Sequence, residues 1–377
     1  MTDRAMDFTV ATLEQEARSL SGLDRFGPEE YRPALAVLIE ALAGNPYLNR
    51  QGTAQIHAML VGLLVARLRA QARLETTSGL LPVRKPWFIL AMPRSGTTAL
   101  HRLLCADPAA QGLESWIASN PQPRPPLSAW AAHPDYKQAL EQLAAMRAAA
   151  PDLFRMHEML ADEVDECSLV LKQSFMSMTF FQSSTAPAYE RWLWDADVSG
   201  SYARFREMLS LIDGGHGRRW VLKDPSHIVT LDALRGEFPD LRVICIRRPV
   251  EPVIPSVAAL VYYARRITEP GVPKELVGQL QLECWSRCAR TLIDWRARNP
   301  DIPWADVEMA GLRTDPVGTL RAVYEAFGEE FTDEAAAAIA AKAATLRAGH
   351  TGAPIDPEEF GLTTAAIRAA FPAEFLA

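Results

Sequence analysis

The stretch Trp87-Phe-Ile-Leu-Ala-Met-Pro-Arg-Ser-Gly-Thr-Thr-Ala-Leu-His-Arg-Leu-Leu104 decides the fold of this chain. A short apolar run leads into a polar turn, and an amphipathic run follows at once. That is the layout of a strand, a tight turn and a helix. Such a turn gathers backbone N–H groups and the positive end of a helix at one point, which suits a phosphate or a sulfate. Arg94 adds a cationic fork, Ser95, Thr97 and Thr98 add hydroxyls, and Gly96 lets the backbone approach a ligand closely. The chemistry indicated is binding or transfer of an oxyanion.

The turn departs from the nucleoside-triphosphate loop G-x-x-x-x-G-K-[ST], whose lysine follows the second glycine and reaches the terminal phosphates. With Gly96 in that place, Ala91 stands at the first glycine and Thr97 replaces the lysine, while the basic residue is Arg94. A nucleotide-dependent kinase or NTPase is handicapped without that lysine and becomes the weaker alternative. A nucleotide-binding module of the same fold without catalysis is the other. Pro93–Thr98 instead resembles the 5′-phosphosulfate loop of the sulfotransferases, P-[KR]-S-G-T-T.

With 377 residues, 49% of them hydrophobic, the chain can bury an α/β core and an additional helical layer. The net charge of −7 argues against a nucleic-acid partner, so an anionic cofactor needs a local cluster of cations. Five scattered cysteines (Cys105, Cys167, Cys245, Cys284, Cys288) lack metal-ligand spacing and suit reduced thiols in a cytoplasmic protein. No secretory signal precedes the first helices, and the apolar run from Ile56 to Ala66 is too short to span a bilayer.

Three regions separate along the chain. Residues 1–83 read as a helical region packing on the core, with helices at Thr12–Ser19, Pro28–Leu42 and Thr53–Leu74 and a break at Gly44-Asn45-Pro46. Residues 84–331 alternate short buried strands with helices, the signature of a parallel sheet. The clear strands are Trp87–Ala91, Trp220–Leu222 and Arg242–Ile246; Asn120–Pro126 is a loop and Ala129–Ala150 a surface helix. Residues 332–377, opening with a helix over Asp333–Leu346, complete the same α/β domain.

Two further strand ends carry cations. Leu241-Arg-Val-Ile-Cys-Ile-Arg-Arg-Pro-Val-Glu251 ends in Arg247 and Arg248, with a helix opening at Pro249 that carries Ser256. Trp220-Val-Leu-Lys-Asp-Pro-Ser-His227 presents Lys223 just before a helix start, where Asp224 is placed to cap that helix or to pair with Lys223. Together with the loop, Met156-His-Glu, Asp162-Glu-Val-Asp-Glu-Cys167 and Gly311-Leu-Arg-Thr-Asp-Pro-Val-Gly-Thr-Leu320, these segments follow in an order that resembles the bacterial sulfotransferase family. The resemblance implies a P-loop-like parallel sheet flanked by helices, with an N-terminal helical extension. It implies 3′-phosphoadenosine 5′-phosphosulfate (PAPS) as the donor, in-line transfer of its sulfuryl group to an acceptor, and no catalytic metal. It places Arg94, Ser95, Gly96, Thr97 and Thr98 on the phosphosulfate and Lys223 at the transferred group. Either Arg247 or Arg248, with Ser256, falls on the 3′-phosphate: Ser256 stands nine residues after Arg247 and eight after Arg248, where the family spacing is eight.

Transfer to a hydroxyl needs a group to accept its proton, and a histidine near neutral pKa suits. His157 leads because Glu158, Asp162, Glu163 and Glu166 surround it in sequence and are placed to orient its ring; His227 and Glu114 are the rivals. Phe175, Met176, Met178, Phe180, Phe181, Trp192, Trp194, Tyr262 and Tyr263 are candidates to line an apolar pocket, which favours a small hydrophobic alcohol or phenol as acceptor. A homo-oligomer is compatible with the sequence.

Overall fold

The computed structural model describes residues 8–346 and 354–376. Three helices come first: α1 (Val10–Ser21), α2 (Tyr31–Ala43) and α3 (Arg50–Thr76). Their starts follow from local hydrogen bonding. The Thr9 hydroxyl accepts from the Thr12 N–H at 3.3 Å while the Thr12 hydroxyl accepts from the Thr9 N–H at 2.8 Å. Asn49 Oδ1 accepts from the Gly52 N–H at 2.7 Å, and each such cap is worth about 1 kcal/mol. The expected break at Gly44-Asn45-Pro46 separates α2 from α3. Arg67 of α3 is fully buried and joins this layer to the core: it donates to Phe26 O (2.9 Å), Pro28 O (2.6 Å) and Ser174 Oγ (3.1 Å), and pairs with Glu30.

Five parallel strands form the sheet: β1 (Trp87–Ile89), β2 (Ala110–Gln111), β3 (Arg219–Lys223), β4 (Arg242–Arg247) and β5 (Trp304–Glu308), in the order β2-β3-β1-β4-β5. The three expected strands are the central ones. β2 is two residues long and β5 is an edge strand that buries only Ala305 and Val307, so neither carries the continuous apolar run that marks a strand covered on both faces. Alternation along each strand splits the core. Trp87, Ile89, Val221, Ile244 and Ile246 face one side with Leu100, Leu320, Tyr324 and Ile339. Phe88, Leu90, Leu222 and Val243 face the other, where Phe88 packs against His227 and Phe238, in one hydrophobic cluster that extends to the N-terminal helices.

Helix α4 (Thr97–Leu104) starts directly from the turn after β1. From β1 the chain runs out to β2, returns through β3 and crosses to β4 on the other side of β1. That reversal falls at the carboxyl ends of the central strands, the usual ligand position in such sheets. The expected surface helix is a 3₁₀ turn (Leu127–Ala132) followed by Pro134–Ala149, which buries no residue. The alanine-rich segment forms the helix Asp333–Leu346, turning Ala335, Ile339 and Ala343 inward. No helix among the described residues is long and apolar enough to cross a membrane.

Candidate active site

The turn between β1 and α4 is built from unusual backbone. Arg94 has φ +64° and Gly96 φ +99°, left-handed conformations that cost a non-glycine residue energy. A side chain at Gly96 would also collide with Met309, which packs under the turn from the segment after β5. Ser95 is buried, and its hydroxyl donates to Met92 O at 2.6 Å, bracing the turn from within. Thr97 is also buried, and Thr98 is half-buried on the first turn of α4.

Four residues named from the sequence meet at this turn. Arg94 Nε donates to Ser256 Oγ at 3.0 Å, and Arg94 Nη1 donates to Met156 O at 2.7 Å, directly before His157. Arg248 Nη1 donates to the carbonyl of Arg94 itself at 2.7 Å. Among the described residues, neither Arg94 nor Arg248 pairs with a carboxylate. Burial, and then the neighbouring Arg248, holds Arg94 below the usual guanidinium range. Two cations held only by neutral oxygens leave positive potential unspent, which is the electrostatic requirement for taking an anion.

Arg247 goes elsewhere. Its guanidinium lies 3.1 Å from Asp306 of β5, on a half-open surface that also holds Arg296. Of the two arginines left open by the sequence, the structure puts Arg248 at the turn. The helix Val250–Arg265 then brings Ser256 back to Arg94, with Pro255 inside the helix.

Lys223 pairs with Ile89 in register at the end of β3, and its side chain is only 3% exposed. Its Nζ donates to Glu166 Oε1 at 2.9 Å. Burial alone would pull this ammonium down, but Glu166, then Asp165, more than offset it and leave Lys223 above the usual lysine range. Asp224 acts as a cap, with no ion pair to Lys223. One of its oxygens accepts from the Ser226 N–H at 2.7 Å and the other from the Ser168 N–H, so it starts two short helices at once. Burial, reinforced by Glu166, pushes the Asp224 carboxyl up to about 6.

The rival bases fare differently. His227 is fully buried, edge-on to Phe88 at 5.0 Å, with Nδ1 2.8 Å from the Tyr202 hydroxyl. Burial lowers its pKa to about 3. Its ring lies in the core, closed off from solvent, unlike that of His157. Glu114 is tied up by an ion pair with Arg124. His157 is half-buried at the end of the helix Pro151–Met156, beside the carbonyl that holds Arg94.

The acidic run does not orient His157 as expected, because it answers other cations. Glu158 lies 3.6 Å from Arg102, Glu163 pairs with Arg102 (3.4 Å) and Lys342 (2.5 Å), and Glu166 pairs with Lys223. Of the residues expected to line an apolar pocket, Phe175, Met176, Met178, Phe180 and Phe181 are buried in the core. Trp194 lies under Arg287, and Tyr262 packs against Phe360. Reading the sequence missed the Lys223–Glu166 pair, for which the scarcity of lysine and the acidic run were the available signals. It also missed Met309, which no motif marks.

Comparison with known proteins agrees with this architecture. The profile described as the sulfotransferase family matches residues 86–333. The crystal structure of sulfotransferase STF1 from Mycobacterium tuberculosis H37Rv is similar over 98% of this chain and 99% of that one, at 35% identity and a TM-score of 0.88. That of sulfotransferase STF9 from Mycobacterium avium is similar in fold, at 23% identity and a TM-score of 0.87, over 97% of this chain and 96% of that one. No curated protein sequence matches the chain. The turn after β1, the parallel sheet and these similarities lead to one conclusion: the chain belongs to the sulfotransferase family.

Proposed function

We propose that this sulfotransferase moves the sulfuryl group of PAPS to the hydroxyl of a small-molecule acceptor. The observation that carries the donor assignment is the pair Arg94 and Arg248, meeting at the turn after β1 with no carboxylate partner among the described residues. In this reading Ser95, Gly96, Thr97 and Thr98 present amides and hydroxyls to the 5′-phosphosulfate, with Arg94 as the forked cation. Arg248 and Ser256 serve the 3′-phosphate side, and Arg247, already paired with Asp306, does not. The donor supplies an activated sulfuryl group whose leaving phosphate gains negative charge in the transition state. Arg94 and Lys223 are proposed to stabilise that charge, and His157 to take the acceptor proton. With the aromatic set built into the core, the acceptor is proposed only as a hydroxyl-bearing small molecule.

The test is thermal unfolding with the nucleotide product, adenosine 3′,5′-bisphosphate, against ATP and GTP. The bisphosphate is expected to raise the melting temperature while the triphosphates leave it unchanged. Equal stabilisation by ATP, or no response to any of the three, overturns the donor assignment.

A further inference from the structure

Lys223 and Glu166 lie 57 residues apart in sequence, yet backbone contacts fix the position of Glu166. The Asp165 N–H donates to Leu113 O at 2.8 Å, the Cys167 N–H donates to Lys223 O at 3.0 Å, and the Ser168 N–H donates to the Asp224 carboxylate. The segment is therefore clasped on both sides of Glu166, and its carboxylate meets Lys223 at 2.9 Å from a fixed base. The Lys223 side chain is sealed at 3% exposure while that of Glu166 is 27% exposed, so the pair has one closed end and one open end. An ammonium has three N–H donors and can hold a carboxylate and a second oxyanion at once.

We propose that Glu166 is a positioning residue for sulfuryl transfer: its clasped carboxylate parks the Lys223 ammonium at the end of β3 and shares it with the anionic group that arrives there. The role rests on the donor assignment proposed above. Glu166 makes and breaks no covalent bond, and Lys223 keeps its proton throughout. The titratable groups facing Lys223 are Asp165, Glu166 and Cys167 from the clasped segment, Asp224 after β3 and His101 from α4, and Glu166 itself also faces Lys172 and His227. Burial is the largest influence on Lys223 and acts against its charge, with Glu166 the largest opposing one. Neutralising Glu166 therefore lets the buried ammonium lose its proton at lower pH.

The experiment is calorimetric titration of the full chain with PAPS and, separately, with adenosine 3′,5′-bisphosphate, which lacks the sulfuryl group. Affinity of the parent for PAPS is expected to stay flat from about pH 6.5 to about pH 9. In Glu166→Gln it should fall about tenfold per pH unit once Lys223 titrates within that window. Bisphosphate affinity should stay flat in both proteins. Adding Lys223→Arg to Glu166→Gln should restore a flat PAPS curve, because a guanidinium does not deprotonate there. Glu166→Asp, which keeps the charge but withdraws it by one methylene, should show a smaller fall in the same direction and serves if Glu166→Gln does not fold. A PAPS curve in the tested variant that matches the parent, or a bisphosphate curve that falls in parallel with it, overturns the role. Failure of the parent to bind the bisphosphate is a separate outcome, which overturns the donor assignment and this role with it.

Discussion

At the carboxyl ends of the neighbouring strands β1 and β3, two cationic centres are partnered in opposite ways. At the turn after β1, Arg94 and Arg248 meet only carbonyl and hydroxyl oxygens among the described residues. At the end of β3, Lys223 meets Glu166, with Asp165 and Asp224 close by. The difference follows from the side chains. A guanidinium stays charged and is weakly hydrated, so it survives half-buried without an acid. A sealed ammonium that lost its acid would be an uncompensated buried charge, which is strongly destabilising. The arginine centre is thus ready to take an anion, whereas the lysine centre already holds one and must share its cation.

Three measurements can break or sharpen that contrast. The largest effect is expected from Arg94→Ala, which removes the cation and its bonds to Ser256 and Met156. Affinity for adenosine 3′,5′-bisphosphate should fall by about a hundredfold, the scale of a lost charge-assisted pair. An unchanged dissociation constant in calorimetry would mean that the arginine centre is not the anion site.

The next effect is acid instability at the lysine centre. His101 lies against it, with Nε2 2.9 Å from Val221 O, and burial followed by Lys223 lowers its pKa to about 3. His227 is likewise lowered to about 3, by burial. In the unfolded chain both rings titrate near 6.5, so between 6.5 and 3 the unfolded state binds more protons. The stability these rings confer is therefore complete above 6.5 and is lost as pH falls toward 3. Denaturant unfolding at several pH values should show His101→Gln with a shallower acid slope than the parent, by up to about 1.4 kcal/mol per pH unit. Equal slopes would show that His101 is not held neutral.

The smallest effect separates neighbours. Arg248→Ala should weaken bisphosphate binding about tenfold, and Arg247→Ala, which leaves Asp306 still paired with Arg296 at the surface, by less than about twofold. The reverse order would return the phosphate role to Arg247.

How legible each centre was follows from how local it is. The turn Pro93–Thr98 and its flanking strand and helix lie within eighteen consecutive residues, Trp87–Leu104, and the central strands β1, β3 and β4 show as apolar runs. β2 and β5 show no such run, because one is two residues long and the other alternates at an edge. The choice between Arg247 and Arg248 needed the strand's alternation: Arg247 continues the face of Cys245, while Arg248 lies past the last paired residue. The Lys223–Glu166 pair was hidden by chain separation, and the acidic run near His157 was misread because Arg102 and Lys342 arrive from distant segments. Phe175–Phe181 read as a pocket because core and pocket share one composition.

The bond from Arg248 to the carbonyl of Arg94 reaches beyond charge. A trans peptide is planar, so its N–H points opposite to its carbonyl. With the Arg94 oxygen claimed by Arg248, the Ser95 N–H is fixed facing away from that guanidinium. Arg248 thereby sets the polarity of the peptide at the apex of the turn and holds it against a flip that would reverse the Ser95 N–H. A substitution there would cost the orientation of an amide as well as a cation, and added salt could not make good the first loss.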